Sequence, residues 1–170
     1  AMVAEVKANG RLRVTSLGGM RAENGETENV RVYARSGKVY EGTLQLCNAS
    51  VHVNGNYADT KRSWDSTEVL LDEDAGSAGA VRALGIEVGD YICIDTKTTV
   101  TGSGFLKSRF IDDKGSAACL LTALKIMRDN GIVPQYDTEF YLTVYEEVGH
   151  GGADIPASLS ELLAVDMGCI

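Results

Sequence analysis

The stretch "NVRVYARSGKVYEGTLQL", residues 29–46, decides the fold. Its two halves alternate apolar and polar residues on either side of Ser36-Gly37. Period-two alternation broken by a glycine turn reads as a β-hairpin. Upstream, "MVAEVKANGRLRVTSLGG" repeats the design around Asn9-Gly10, a strong hairpin signal. Downstream, "STEVLLDEDAGS" predicts a short strand, and "VGDYICIDTKTTVTGSG" predicts a long β stretch after a Gly-Asp turn. Several short strands punctuated by glycine turns point to a small barrel or sandwich. Between them, "VHVNGNYADTKRSWDS" is polar and reads as an exposed loop, in which Trp64 packs. "SAGAVRALGI" predicts a short helix ending at Gly85.

Near Gly104 the character changes. In "DDKGSAACLLTALKIMRDNG", Ala117, Leu120, Leu121, Leu124 and Met127 recur at helical spacing. Acids open this helix and Asn130-Gly131 closes it, as the helix dipole and C-capping favour. "TEFYLTVYEEVG" is apolar on both faces, which predicts a central strand of a covered sheet. A second buried strand is expected at Leu162 to Val165, ending in Asp166. The last third therefore reads as strand–helix–strand material of an α/β layer.

Bulk properties exclude several classes. The chain has 170 residues, 44% of them hydrophobic and 24% charged, with a formal net charge of -8. It is long enough for a substantial core, and its acidity argues against nucleic acid as partner. No apolar run is long enough for a bilayer, so no membrane partner is expected, and the first residues lack a secretory signal. Cys47, Cys93, Cys119 and Cys169 form no Cys-x-x-Cys pair. Reduced thiols in a cytoplasmic protein are the expectation.

Acids fall where an α/β sheet gathers ligands, at the carboxyl ends of strands. Asp112 and Asp113 begin the long helix, Glu146 and Glu147 follow the expected central strand, and Asp166 ends the last one. Two chemistries use such a set. A glycosidase needs two carboxylates flanking a sugar, but neighbours on a strand point to opposite faces, so Glu146 and Glu147 alone do not make that pair. A two-metal hydrolase neutralises the acids with cations and leaves one carboxylate free to move a proton. The metal reading is short of imidazole: only His52 and His150 are present.

"SRFIDDKGSAA", "TVYEEVGHGGA" and "LLAVDMG", in that order and spacing, resemble the tetrahedral, glutamyl-type aminopeptidases, co-catalytic metallopeptidases also described as cellulases or endoglucanases. "RLRVTSLGG", "ASVHV", "KRSWDSTEVLLDEDAGS" and "LGIEVGDYI" are similar to that family's inserted β-domain. The resemblance implies an α+β chain: a β-barrel-like lid or dimerisation domain plus a partial α/β/α zinc-peptidase catalytic domain. Residues 1–24 would be leading strands, 25–101 the lid and 102–170 the catalytic part. It implies Asp112 as the carboxylate bridging two divalent ions, zinc or cobalt, with Glu147 and Asp166 each a ligand of one. Glu146 would be the general base and Asp113 a helix-start residue. The family's two histidine ligands would precede Ala1 and follow Ile170. The chain is thus expected to be an internal piece of a longer enzyme, holding metal weakly and hydrolysing little by itself. Short peptides would be the substrates, and the β-rich domain would build a homo-oligomer. A non-catalytic oligomerisation module and a glycosidase are the competing readings.

Overall fold

The computed structural model describes residues 1–152 and 155–168. It divides into two compact units, Ala1–Asp95 and Thr96–Ile170. Among the described residues no helix is long and apolar enough to cross a membrane.

The first unit is a closed antiparallel barrel. Its strands are β1 (Met2–Val6), β2 (Leu12–Thr15), β3 (Asn29–Tyr33), β4 (Val39–Leu46), β5 (Thr67–Leu71) and β6 (Tyr91–Ile94). They pair in the order β1-β2-β5-β4-β3-β6, and β6 returns to β1. Closure removes the free edges that an open sheet would expose. Alternation does the sorting: Val30, Val32, Leu44, Leu46, Val69 and Ile92 point inward and are buried. In β1 the register slips between Val3 and Glu5. That bulge lets Val3 and Val6, three apart, both face the core, which strict alternation forbids.

Both sequence turns are where expected. Ser36-Gly37 joins β3 to β4, and Asn9-Gly10 joins β1 to β2. Gly10 has φ 79°, and a Cβ there would lie 1.9 Å from the Ala75 carbonyl oxygen. Glycine is thus required twice at that position, for backbone conformation and for space.

Helix α1 (Ala78–Leu84) adds fully buried Val81 to the barrel core and ends at Gly85 with φ 91°. Tyr40 Oη donates to the Leu84 carbonyl at 2.5 Å, tying the helix end to β4. Ser77 Oγ accepts from the Ala80 N–H at 3.2 Å. Ser77→Ala is expected to lower stability by about 1 kcal/mol, the usual loss of an N-cap. Urea unfolding followed by fluorescence of Trp64, the single tryptophan, reads it. Trp64 packs on this core and donates Nε1–H to the Met20 carbonyl at 3.3 Å. The preceding loop is largely exposed, as expected, and is pinned by Arg62, which pairs with Glu26 at 2.9 Å.

Beneath Lys7 and Arg11, Glu68 of β5 is only 1% exposed. It accepts from Lys7 Nζ at 2.6 Å and from Arg11 Nη1. Burial of this acid follows from its position on β5, facing away from Val69's side, under two long basic side chains.

The division expected at residues 24 and 101 differs from the observed one. β1 and β2, read as leading strands ahead of the lid, are staves of the barrel, and the first unit ends at Asp95. Their pairing with β5 and β6 is non-local, so nothing in their own sequence announces it. The long β stretch after Gly89 is also divided, into β6 and, in the second unit, β7 (Thr99–Val100).

The second unit holds the β7–β8 hairpin, β8 being Leu106–Lys107, and helix α2 (Lys114–Asp129). The helix forms where periodicity placed it. The central strand expected in "TEFYLTVYEEVG" and the strand expected at Leu162–Val165 do not form. A strand satisfies its amides only against a neighbour, and no partner strand runs beside either segment among the described residues. Phe140, Leu142 and Val144 are accordingly exposed, and Ser116 is the only buried residue of this unit among those described.

Candidate metal centre

Chain geometry at the head of α2 assembles the acids. Asp112 and Asp113 are joined by a cis peptide bond, and Asp113 occupies the N-cap position without capping an N–H. Gly115 N–H reaches back to the Ile111 carbonyl at 2.8 Å, and Ala117 N–H to that of Asp113 at 3.2 Å. Lys114 Nζ donates to the Phe110 carbonyl at 3.2 Å. The segment carrying Asp166 lies against the same turn, with Met167 Sδ 4.0 Å from Ser116 Oγ. Asp166 Oδ1 accepts from the Met167 N–H at 2.6 Å.

As a result Asp112, Asp113 and Asp166 each present a carboxylate oxygen, all within 4.8 Å of one another. Like charges that close repel, and the positive end of α2 offsets only part of this. Asp113 Oδ1 is buried with no hydrogen-bond partner. An uncompensated buried oxygen costs free energy, and a cation would relieve it. Three carboxylates form a hard oxygen donor set suited to divalent ions, so these residues fit part of a metal shell.

Of the acids expected at this place, the structure brings together Asp112 and Asp166. It adds Asp113, and it does not bring in Glu147. Glu146 and Glu147 lie on an exposed 3-10 turn, Glu146–Val148, ended by Gly149 in the left-handed region. His150 follows that turn, exposed, and is not part of the carboxylate group. The sequence "DDK" always offered Asp113, but spacing alone does not say which of two adjacent acids meets a residue far along the chain.

Comparison with known proteins identifies the family. The family description M42 glutamyl aminopeptidase matches residues 1–170. YhfE of Bacillus subtilis (strain 168), provisionally assigned as an aminopeptidase, is 40% identical over 171 residues, covering 100% of this chain and 49% of YhfE. The chain thus spans about half the length of that relative. The aminopeptidase APDkam598 of the archaeon Desulfurococcus kamchatkensis superposes with a TM-score of 0.69 at 28% identity, over 87% of this chain and 38% of that one. TET1 peptidase of Pyrococcus horikoshii, which assembles into a tetrahedron or a large octahedral shell, gives 0.70 at 22% identity, over 89% and 44%. The last likeness shows the fold alone. With a family match running from its first residue to its last, and its closed barrel and acid-headed helix in a fold shared with solved aminopeptidases, this chain belongs to the M42 glutamyl aminopeptidase family.

Proposed function

We propose that the chain forms the barrel and part of the catalytic domain of a two-metal aminopeptidase that removes N-terminal residues from short peptides. The observation carrying this reading is the convergence of Asp112, Asp113 and Asp166 within 4.8 Å at the head of α2. Asp112 would be the carboxylate shared by two divalent ions, zinc or cobalt, and Asp166 would hold one of them. Glu147 would hold the other. Ions held there supply Lewis acidity toward water and the peptide carbonyl. Glu146 takes the proton of the attacking water and returns it to the departing amine. The remaining acid charge orients the substrate's α-ammonium group.

The barrel acts as lid and oligomerisation domain. Tyr33 is registered opposite both Val39 and Tyr91, and all three side chains are exposed on its outer face. Such an apolar row suits a homo-oligomeric contact. Free, exposed Cys47, Cys93 and Cys119 accord with a reducing, cytoplasmic setting; Cys169 lies outside the described residues.

The test is peptide hydrolysis by the full-length polypeptide. An aminoacyl substrate is expected to be cleaved, with activity lost on chelation and regained with zinc or cobalt, whereas the 170-residue chain alone cleaves little. Hydrolysis indifferent to chelation, or glucan cleavage without peptide cleavage, would overturn the reading.

A further inference from the structure

Around Glu146 the chain folds back on itself. Val148 N–H and His150 N–H both donate to the Tyr145 carbonyl, at 3.2 and 2.9 Å, and Gly149 N–H donates to that of Glu146 at 2.7 Å. Gly149, with φ 85°, supplies the reversal. This carries residue 151 directly over Glu146. A Cβ at Gly151 would lie 2.7 Å from Glu146 Cβ, 2.9 Å from its Cα and 3.0 Å from its Cγ. Ordinary contact begins near 3.4 Å.

Two glycines of this turn therefore have different reasons to be glycine. Gly149 needs a left-handed backbone, but nothing lies within 4 Å of the Cβ it lacks. Gly151 is required for space alone. The neighbouring Gly152 has neither constraint, since its Cβ would meet only Ile155 Cδ1 at 3.9 Å.

We infer that Gly151 is a positioning residue for Glu146: its bare backbone seats the root of that side chain and fixes where the carboxylate points. The inference rests on the proposed role of Glu146 as the proton-transferring group. A methyl at 151 contacts Cα, Cβ and Cγ together, so swinging the carboxylate alone does not relieve it. Cα and Cβ do not move with the side-chain torsions, so residue 146 itself must shift or the turn must open. A shift at the root of the side chain moves the carboxylate by about 1 Å or more, a displacement that costs on the order of 100-fold in turnover.

The experiment compares kcat, KM and bound metal for Gly151→Ala, Gly152→Ala and Glu146→Gln in the full-length polypeptide. Gly151→Ala is expected to lower kcat about 100-fold, with KM and metal content near their starting values, while Gly152→Ala leaves all three unchanged. A purely structural role would move metal content or KM together with kcat, and that result would overturn the inference. So would undiminished kcat in Gly151→Ala beside an inactive Glu146→Gln. Full turnover by Glu146→Gln would instead sink the underlying assignment of Glu146. Should Gly151→Ala fail to fold, adding Glu146→Gly removes the Cβ and Cγ contacts and leaves that with Cα. A gain in stability of the double variant over Gly151→Ala supports the contact, and no gain overturns it.

Discussion

Glu146→Gln in the full-length polypeptide is expected to lower kcat by roughly 10²–10⁴-fold while leaving bound metal nearly intact. The amide keeps the size of the carboxylate and removes its ability to take a proton, so only the proton-transfer step should suffer. Asp112→Asn is the contrast. Asp112 belongs to the carboxylate group at the head of α2, and its amide is a poorer donor to a cation. Loss of groups merely behind the ligands lowers metal affinity by about 10–100-fold, so with Asp112 in the ligand role proposed for it, Asp112→Asn should exceed that. Metal content per polypeptide, measured beside peptide turnover, separates the two roles. Equal metal loss in both variants would contradict them.

The second large effect concerns folding. Glu68 is 1% exposed, while the side chains of Lys7 and Arg11 that cover it are 32% and 33% exposed. Replacing both cations with methionine would leave a buried carboxylate unpaired, at a cost of about 3–5 kcal/mol. Adding Glu68→Leu removes the stranded charge and should recover most of that loss, because a buried ion cluster exchanged for apolar residues is often near neutral. Urea titrations followed at Trp64 would show it; a triple variant as unstable as the double one would rule this out.

The hydrogen bond to Glu68 raises the Lys7 pKa above its ordinary 10.5. A raised folded-state pKa means that the ion pair contributes fully below about pH 10.5 and fades as pH rises through the folded value. Unfolding should therefore become easier above pH 10.5, and the Lys7→Met, Arg11→Met, Glu68→Leu variant should lose that component.

Local signals were legible in the sequence and distant ones were not. Ser36-Gly37, Asn9-Gly10 and the Gly85 helix stop are each decided by a few neighbouring residues, and each is where the reading placed it. Helix α2 needs only its own periodicity and its ends. Glu68, by contrast, looks like an ordinary outward-facing strand acid until Lys7 and Arg11 are brought over it from some sixty residues away. Residues 138–145 have the composition of a central strand, but composition supplies no partner, and without one the segment forms no strand. The site divides in the same manner. Asp112 and Asp166 could be singled out, yet Asp113's part depends on how the chain turns at the head of α2.

Barrel closure joins Met2 of β1 to Tyr91 of β6, across about 90 positions of chain. Holding the ends of so long a loop together opposes closure by about 4 kcal/mol of chain entropy, so this seam should be the last to zip. At ribosomal speeds the first hairpin emerges roughly 4–16 s before its final neighbour exists. Until β3, β4 and β5 have followed, Val3, Val6, Leu12 and Val14 lack most of their lining, and the seam beside β1 stays open until β6 arrives. The nascent chain should be a client of holding chaperones until β6 leaves the exit tunnel.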